Sequence, residues 1–286
     1  MVFNNLPIGI RMIQVQFIEA GYCRHCERMT LKTGLFKQRQ YPSTCALIKH
    51  PTQGYILFDT GYSDSFFQLT KKFPFSLYRY LTPVTLKKTL KDQLLEQNIQ
   101  ATDINYIVIS HFHSDHVAAL SDFPNAKFIC HPDAVDDIRN KSKFRALLQG
   151  FLPGLLPHDF YERLIVLKGP QGTLAKTLYP FTQGYDIFGD QQLIAIDLPG
   201  HAKGHIGLLL RTQPAIFLVA DSCWHRETYQ DLIYPSKLTY LVHDNKTQYL
   251  QTIEKLHQLH IRNRELQIIP THCEHTRKLC KVKELC

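Results

Sequence analysis

The sequence lacks the features that mark membrane, secreted or disordered proteins. No stretch approaches the roughly 20 uninterrupted apolar residues that a membrane-spanning helix needs. Residues 1–12 show no basic segment followed by an apolar run and a small-residue cleavage site, so no secretion signal is predicted. Internal repeats and low-complexity tracts are absent, while 44% of the residues are apolar. We therefore expect a cytoplasmic protein with a large buried core.

A second C-x-x-C pair is also missing. The eight cysteines include one such pair, Cys23 and Cys26, with three further cysteines near the other end of the chain. A zinc site could combine the two groups, but a four-cysteine site normally uses two pairs. Cys45 and Cys130 lie in apolar runs and are typical of small buried side chains. The pattern therefore favours free thiols in a reducing compartment.

The net charge of +8 raises nucleic acid as a partner. However, the basic residues are dispersed over residues 87–91, 141–145 and 277–283, and no basic stripe is interleaved with aromatics. This dispersal argues against nucleic acid and favours solvated surface charge.

Apolar patterning predicts alternating strands and helices without a long linker. Strands are predicted at residues 10–18, 44–49, 54–61, 104–110, 164–167, 192–200, 205–211, 215–221 and 266–272. Helices are predicted at residues 86–95, 132–148 and 246–260. Two strand-rich halves separated by helices indicate a single α/β domain spanning residues 1–286. Its two mixed β-sheets would pack face to face with helices outside, as four layers.

An aromatic-rich insertion follows the strand at 54–61 and extends over about residues 62–85. The segment from Tyr62 to Tyr80 contains seven aromatic residues, counting both ends, which is more than a solvated loop needs. We expect them to form a wall of a ligand pocket or a contact in a homodimer. The alternative is a small separate core.

Four residues with metal-binding side chains occur within six positions, directly after the strand at 104–110. His111, His113, Asp115 and His116 would be unsatisfied or mutually repelling if buried without a cation. In an extended segment His111 and His113 point the same way, and Asp115 and His116 can reach a second position nearby. Zinc suits imidazole and carboxylate ligands, and iron or manganese would accept the same set.

The order of motifs resembles that of the metallo-β-lactamase superfamily. His111 to His116 is similar to the H-x-H-x-D-H signature of that family. The further matches, in the family's order, are Asp59-Thr60-Gly61 before it, and Pro199-Gly200-His201 with Gly204-His205, Ala220-Asp221 and Thr271-His272 after it. A lone H-x-H would be weak, whereas five ordered matches covering residues 58–272 are specific.

The resemblance implies a fold, a dinuclear metal site and a role for each matching residue. The fold would be the αββα sandwich of this family. One metal ion would be bound by His111, His113 and His201, with His201 preferred over His205. The second would be bound by Asp115, His116 and His272, with Asp221 bridging the two ions. A water or hydroxide held between them would attack the substrate, and Asp115 would also move a proton toward the leaving group. Asp59 would support the ligand loop without touching metal.

Within the superfamily, the branch containing N-acyl-homoserine lactone lactonases is most similar. The resemblance implies a metal-dependent hydrolase that acts on a small-molecule ester or lactone. One residue departs from that branch: where its members commonly have a substrate-contacting tyrosine, this chain has Trp224, which could donate only through its indole N–H. Simple packing beside the pocket is the alternative role of Trp224.

Three other functions stay open. They are a thioesterase of the glyoxalase II kind, a phosphodiesterase, and a metal-bound sensor or effector whose hydrolysis is incidental. Near the predicted ligands the sequence offers mostly apolar residues, such as Phe112 and Leu198, with Lys203 as the one nearby cation. A phosphodiesterase usually surrounds its metals with cationic side chains, so this lining favours an ester substrate.

Overall fold

The strands form two mixed sheets. The computed structural model describes residues 13–170 and 173–281. In chain order the strands are β1 (Gln14–Cys26), β2 (Gln38–His50), β3 (Gly54–Phe58), β4 (Val84–Thr85), β5 (Ile104–Val108), β6 (Lys127–Cys130), β7 (Leu164–Val166), β8 (Tyr185–Asp186), β9 (Leu193–Asp197), β10 (Ile206–Leu210), β11 (Ile216–Ala220) and β12 (Gln267–Pro270). The seven-stranded sheet has the order β4-β1-β2-β3-β5-β6-β7, and the five-stranded sheet has the order β12-β11-β10-β9-β8.

Both sheets combine parallel and antiparallel pairs. In the first, β3, β5, β6 and β7 run parallel, while β1 pairs antiparallel with β2 and β4. In the second, β11 and β12 run parallel and the other pairs are antiparallel. The helices are α1 (Glu27–Thr30), α2 (Asp64–Leu69), α3 (Ser76–Leu81), α4 (Leu90–Leu95), α5 (Ser114–Val117), α6 (Pro132–Asn140), α7 (Lys143–Leu148), α8 (Arg226–Gln230), α9 (Lys246–Arg262) and α10 (Glu274–Leu279).

The side chains of β11 show how the layers pack. Ile216 and Leu218 belong to a core that also contains residues of the first sheet, whereas Phe217 and Val219 belong to a core shared with Leu256 of α9. Successive residues of a strand point to opposite faces, so a strand buried on both faces reads as a continuous apolar run. A third core lies between the first sheet and helices α4 and α6. The predicted four-layer sandwich is therefore confirmed.

Several predicted boundaries differ from the structure. The predicted helix over 132–148 is two helices, α6 and α7, because Lys141 is extended and Ser142 begins a new helix by accepting a hydrogen bond from the Arg145 backbone N–H at 3.3 Å. The predicted helix over 86–95 begins only after Thr89, whose hydroxyl accepts from the Asp92 N–H at 3.1 Å. The strand predicted at 10–18 continues to residue 26, and its residues 10–12 lie outside the described residues.

The aromatic insertion is not a loop. It folds into α2 and α3 and ends on β4, which pairs with β1 at the edge of the first sheet. Tyr62 and Phe66 are buried in a cluster with Tyr41 and Leu147, while Phe73 and Tyr80 are exposed. The insertion therefore has an inner face that packs on the fold and an outer face in contact with solvent.

The turn after β9 is fastened to the start of α9. The backbone carbonyls of Pro199 and Gly200 accept hydrogen bonds from the Thr252 hydroxyl at 2.7 Å and the Asn245 N–H at 3.0 Å. Gly200 has a φ of +122°, and a Cβ added there would lie 2.0 Å from the backbone nitrogen of Tyr249. Only glycine allows this close approach of turn and helix, which explains the glycine of the P-G-H motif.

We expect Gly200→Ala to lower the free energy of unfolding by at least about 3 kcal/mol, since it combines a positive φ with a clash against backbone. Chemical denaturation monitored by circular dichroism would measure the loss. The matched control is Gly169→Ala, because an added Cβ at Gly169 meets nothing within 4 Å; its effect should stay within about 0.5 kcal/mol. Equal stability of the two variants would contradict this account of the turn.

Candidate metal centre

The seven predicted metal ligands lie together at one edge of the sandwich. Parallel strands end at the same edge of a sheet, and each ligand follows such an end. The segment from His111 to His116 follows β5, His201 follows β9, Asp221 directly follows β11, and His272 follows β12. The first sheet thus supplies four of these side chains and the second sheet supplies three.

The potential ligand atoms form two groups. The first contains His111, His113, His201 and Asp221, and the second contains Asp115, His116 and His272. Within each group these atoms lie within 4.8 Å of one another, and all residues except the half-buried His113 are buried. The grouping is the one that the resemblance implies, while the binding of metal by these residues stays a prediction.

Asp221 connects the two groups through its carboxylate. Its Oδ2 lies 3.3 Å from His201 Nε2 in the first group and 3.1 Å from His272 Nε2 in the second. Its Oδ1 lies 3.2 Å from Nε2 of His116. A carboxylate with one set of imidazoles on each side is in the position required of a bridging ligand.

Asp59 holds the ligand loop in place. Its Oδ1 accepts a hydrogen bond from the Ser110 backbone N–H at 2.8 Å, and its Oδ2 accepts from the Ser110 hydroxyl and from His116 Nδ1, each at 2.7 Å. Thr60 adds two bonds from its N–H and hydroxyl to the His116 carbonyl, at 2.8 and 2.9 Å. The Asp59 contact leaves Nε2 of His116 directed at Asp115 and Asp221. That Asp59 supports bound metal through these contacts stays a prediction.

Burial and charge give the imidazoles different protonation preferences. Burial lowers the pKa of His113 to about 4 and lowers the pKa of His111 and His201 well below the usual value. A lowered pKa favours the neutral form of these rings, which offers a lone pair. Burial also acts on His272, but the carboxylates of Asp221 and Asp115 outweigh it and raise its pKa to about 10. The second group thus attracts positive charge.

The donor set fits divalent cations. Nε2 of His111 is fully buried and has no hydrogen-bond partner within the described part of the chain, and Nε2 of His116 and Oδ1 of Asp221, 3.2 Å apart, have no other partner there. A buried atom without a partner loses hydration without compensation, and a cation that accepts its lone pair removes that penalty. Two groups that share Asp221 fit two such ions, with imidazole and carboxylate ligands.

His201 and His205 take different positions. Nε2 of His201 lies 3.0 Å from Nδ1 of His113, inside the first ligand group. His205 instead donates from Nδ1 to the Leu198 carbonyl at 2.9 Å, and its Nε2 accepts from the Asp221 backbone N–H at 3.3 Å. His201 thus lies within the first group and His205 holds the backbone of Asp221, while metal binding by His201 stays a prediction.

Trp224 lies against the second group. Its indole N–H donates to Asp221 Oδ2 at 3.0 Å, and its ring lies 4.4 Å from the ring of His272. On its other side it contacts Tyr41 at 5.1 Å and His25 at 5.8 Å, measured between ring centroids. The indole donor is therefore engaged with Asp221, and a contact of Trp224 with substrate would use the face or edge of its ring.

Four residues near the ligands escaped prediction from the sequence. Tyr41 and His25 reach the site through the pairing of β1 with β2, and His243 places its ring 5.1 Å from that of His201. Lys141 lines a cleft beside His113 and His201 together with the predicted Lys203. None of them belongs to a motif, since each is brought in by a contact between segments distant in sequence.

The cleft beside the first ligand group has a mixed lining. Its apolar residues include Phe112, Phe151, Ile138 and Val242. Its two lysines are accompanied by two acidic residues, Asp137 and Asp244, and Lys141 forms an ion pair with Asp137. The formal charges of the lining therefore balance.

The cysteines take no part in either ligand group. Seven of them are free thiols in the described residues, and Cys286 lies outside those residues. Cys23 is buried in the cluster with Tyr62, while the partly exposed Cys26 directs its Sγ to the Leu35 carbonyl at 3.9 Å. Within residues 13–170 and 173–281, no group that could hold a metal contains a cysteine.

Comparisons with known proteins find similar sequences and a similar fold. A family model described as the metallo-beta-lactamase superfamily matches residues 39–262. N-acyl homoserine lactonase AttM of Rhizobium radiobacter is 28% identical over 150 residues, which are 51% of this chain and 52% of that protein. This chain thus spans about half the length of that curated relative. N-acyl homoserine lactonase AiiB of Rhizobium rhizogenes is 24% identical over 271 residues, or 89% of this chain and 91% of that protein.

A solved structure shares the fold. It is an N-acyl homoserine lactone hydrolase with the product N-hexanoyl-L-homoserine bound at its catalytic metal centre. The TM-score is 0.71 at 19% sequence identity, with 96% of this chain and 99% of that chain covered. At this identity the likeness concerns the fold.

We expect the purified protein to carry about two transition-metal ions per chain, and Asp59→Asn to weaken metal retention by about 10- to 100-fold. Asparagine cannot accept all three hydrogen bonds that the carboxylate accepts, because its amide nitrogen is a donor. Elemental analysis after metal-supplemented expression, followed by titration with a chelator, would measure both quantities. The control is Asp103→Asn, whose carboxylate accepts only from the exposed Gln100 N–H. Less than half an equivalent of metal in the parent protein would contradict the assignment.

Proposed function

The chain belongs to the metallo-beta-lactamase superfamily, as its motifs indicated, and on that premise we propose that it hydrolyses a small-molecule lactone or other ester. The observation that supports this most is the position of Asp221, whose carboxylate contacts imidazoles of both ligand groups. A metal-dependent hydrolase of this family needs such a shared ligand to hold two ions close together.

Each ligand group has a defined part in the proposal. His111, His113 and His201 would hold one ion, Asp115, His116 and His272 the other, and Asp221 would bind both. Zinc suits this set, and iron or manganese would also fit. When bound, two such cations supply a water of lowered pKa and polarise the carbonyl of the ester.

The chain's own residues would position the reacting groups and move protons. Asp115 Oδ2 lies 3.2 Å from His272 Nε2, inside the second ligand group. A carboxylate there can accept a proton from the attacking water and pass it to the leaving oxygen. The Ser43 hydroxyl donates to the Asp115 carbonyl at 2.6 Å and so limits the movement of this residue. Trp224 fixes Asp221 through its indole N–H.

The lining of the cleft supports an ester substrate over a phosphodiester. A phosphodiester carries negative charge, and enzymes that cleave one surround it with cations. Here Lys141 is paired with Asp137, and Asp244 lies in the same lining as Lys203. Val242, which is half exposed, offers an apolar surface to an acyl chain, while Phe112 and Phe151 of the same lining are almost fully buried.

The alternatives can be separated by substrate. A thioesterase of the glyoxalase II kind would use the same ligands with a sulfur leaving group. A phosphodiesterase would need an anion site that the balanced cleft does not favour. A metal-bound sensor or effector would bind metal and show negligible turnover on all three classes.

We expect an acyl lactone to exceed bis-nitrophenyl phosphate in kcat/KM by at least about tenfold at equal metal loading. The physical reason is the balanced charge of the cleft. Steady-state kinetics on lactone, thioester and phosphodiester panels would decide the substrate class. A tenfold preference for the phosphodiester would exclude the lactonase interpretation, and turnover on none of the panels would favour the sensor.

We also expect His113→Ala and Asp115→Ala each to lower kcat/KM by at least about a hundredfold, since each removes a ligand. His275→Ala should stay within a few-fold of the parent protein. His275 lies near His272 in sequence, but it is exposed on α10 and belongs to neither ligand group. Circular dichroism would verify folding, because loss of metal can also destabilise the protein. Equal losses in all three folded variants would show that the ligand assignment is wrong.

A further inference from the structure

Four segments surround the metal site at the edge of the sandwich. They are residues 28–41, 71–82, 141–152 and 232–243, and together they are called the rim below. Each segment contains one residue in contact with the site or with the cluster beside it. A Cβ added to Gly150 would lie 3.3 Å from the ring of His113, and the ring of His243 lies 5.1 Å from that of His201. The other two segments, 28–41 and 71–82, reach the site through Trp224 or through the buried cluster that Trp224 contacts.

The residues that make these two contacts are Tyr41 and Tyr78. The ring of Tyr41 lies 5.1 Å from Trp224, and Tyr78 packs against the buried cluster that Trp224 also contacts. The segments also contact one another. Leu147 belongs to that same cluster, and the Met29 carbonyl accepts hydrogen bonds from the Ser236 N–H at 2.9 Å and the Thr239 hydroxyl at 2.8 Å. The four segments therefore form one continuous border.

Every rim segment exposes a large apolar side chain. Phe36 is 87% exposed, Phe73 83%, Phe144 70% and Leu241 83%. Each segment has at least one further exposed apolar residue, for example Leu35, Leu81, Leu148 and Leu238. Single exposed apolar residues are common in proteins, but exposed apolar side chains in all four segments around one site form a surface suited to contact with something apolar.

The charge of the rim is of one sign. Its four segments contain eleven Lys and Arg residues and no Asp or Glu, whereas the whole chain has 33 basic and 25 acidic residues. Acidic residues flank these segments: Asp231 and Asp244 stand on either side of the fourth, and Glu27 precedes the first and pairs with Arg39 at 2.5 Å. Lys141 of the third segment is paired with Asp137, so the net positive charge comes from the other basic residues. The dispersed basic residues of the sequence are thus partly collected around the site by folding. Exposed apolar side chains among cations are complementary to a layer of anionic headgroups over hydrocarbon.

We propose that the rim binds the surface of a membrane that contains anionic phospholipid, with the opening of the metal site turned toward the bilayer. In the described residues no helix is long and apolar enough to cross a membrane, and the proposed contact is with the surface only. A second copy of this chain is a poorer partner, because two rims of the same positive charge would repel each other. The contact requires neither metal nor turnover and therefore goes beyond the proposed function.

Co-sedimentation of the metal-loaded, full-length protein with vesicles tests the proposal without any substrate. Vesicles of phosphatidylcholine alone would be compared with vesicles in which about one third is phosphatidylglycerol, at low and at high salt. We expect binding to the anionic vesicles, and we expect salt to weaken it. Leu241→Asp and Phe73→Asp should each lower the partition coefficient at least about tenfold, since each removes an apolar anchor and adds a repelling charge.

Leu95→Asp is the matched control. Leu95 is also an exposed leucine, but it ends α4, which precedes the amino end of β5 at the edge opposite the metal site. Its partition coefficient should equal that of the parent protein. Equal binding to both kinds of vesicle, or equal losses in all three variants, would overturn the proposal. So would rim-dependent dimerisation in size-exclusion chromatography, or rim-dependent binding of single-stranded nucleic acid, without vesicle binding. Any of these results would leave the hydrolase proposal untouched.

Discussion

The structure depends on the burial of five imidazoles and two carboxylates at one edge of two packed sheets. Such a group is costly in a protein interior unless each lone pair and each charge finds a partner. Part of the cost is offset by Asp59, which contacts His116 Nδ1, by Ser110, which contacts His111 Nδ1, and by His205, which accepts from the Asp221 backbone N–H. The inward-facing atoms are left for cations. The strand ends, the glycine turn and the supporting hydrogen bonds can all be understood as means of keeping these side chains in place.

The sequence was most informative where a pattern repeats locally. Strands buried on both faces appear as apolar runs, so β5, β9, β10 and β11 could be located from composition alone. The ligand segment was recognisable because four donors within six residues have no simple structural explanation. The resemblance to a family then supplied His201, Asp221 and His272, which lie far apart in sequence and could not have been connected by spacing.

Other features depend on contacts that a single sequence does not encode locally. The short strand β6 was missed, and so was the break between α6 and α7, where Lys141 ends one helix and Ser142 begins the next. Lys141, His243 and Tyr41 reach the site only after distant segments pack together. The charge distribution was misleading for the same reason: basic residues that look scattered along the chain border one opening after folding. Two predictions stay open: that residues 1–286 form a single domain, and that the chain can form a homodimer.

The division of the ligands between the two sheets has a consequence for ion selectivity. Each ligand group takes side chains from both sheets, so the spacing of the sheets sets the size of each cavity and thereby the ionic radius that it accepts. That spacing depends on the side chains packed between the sheets, among them Val108 and Ala220, which belong to the shared core and lie just before ligand segments. We therefore expect substitutions that change the core volume between the sheets to alter which ionic radius the two groups accept, with every ligand unchanged.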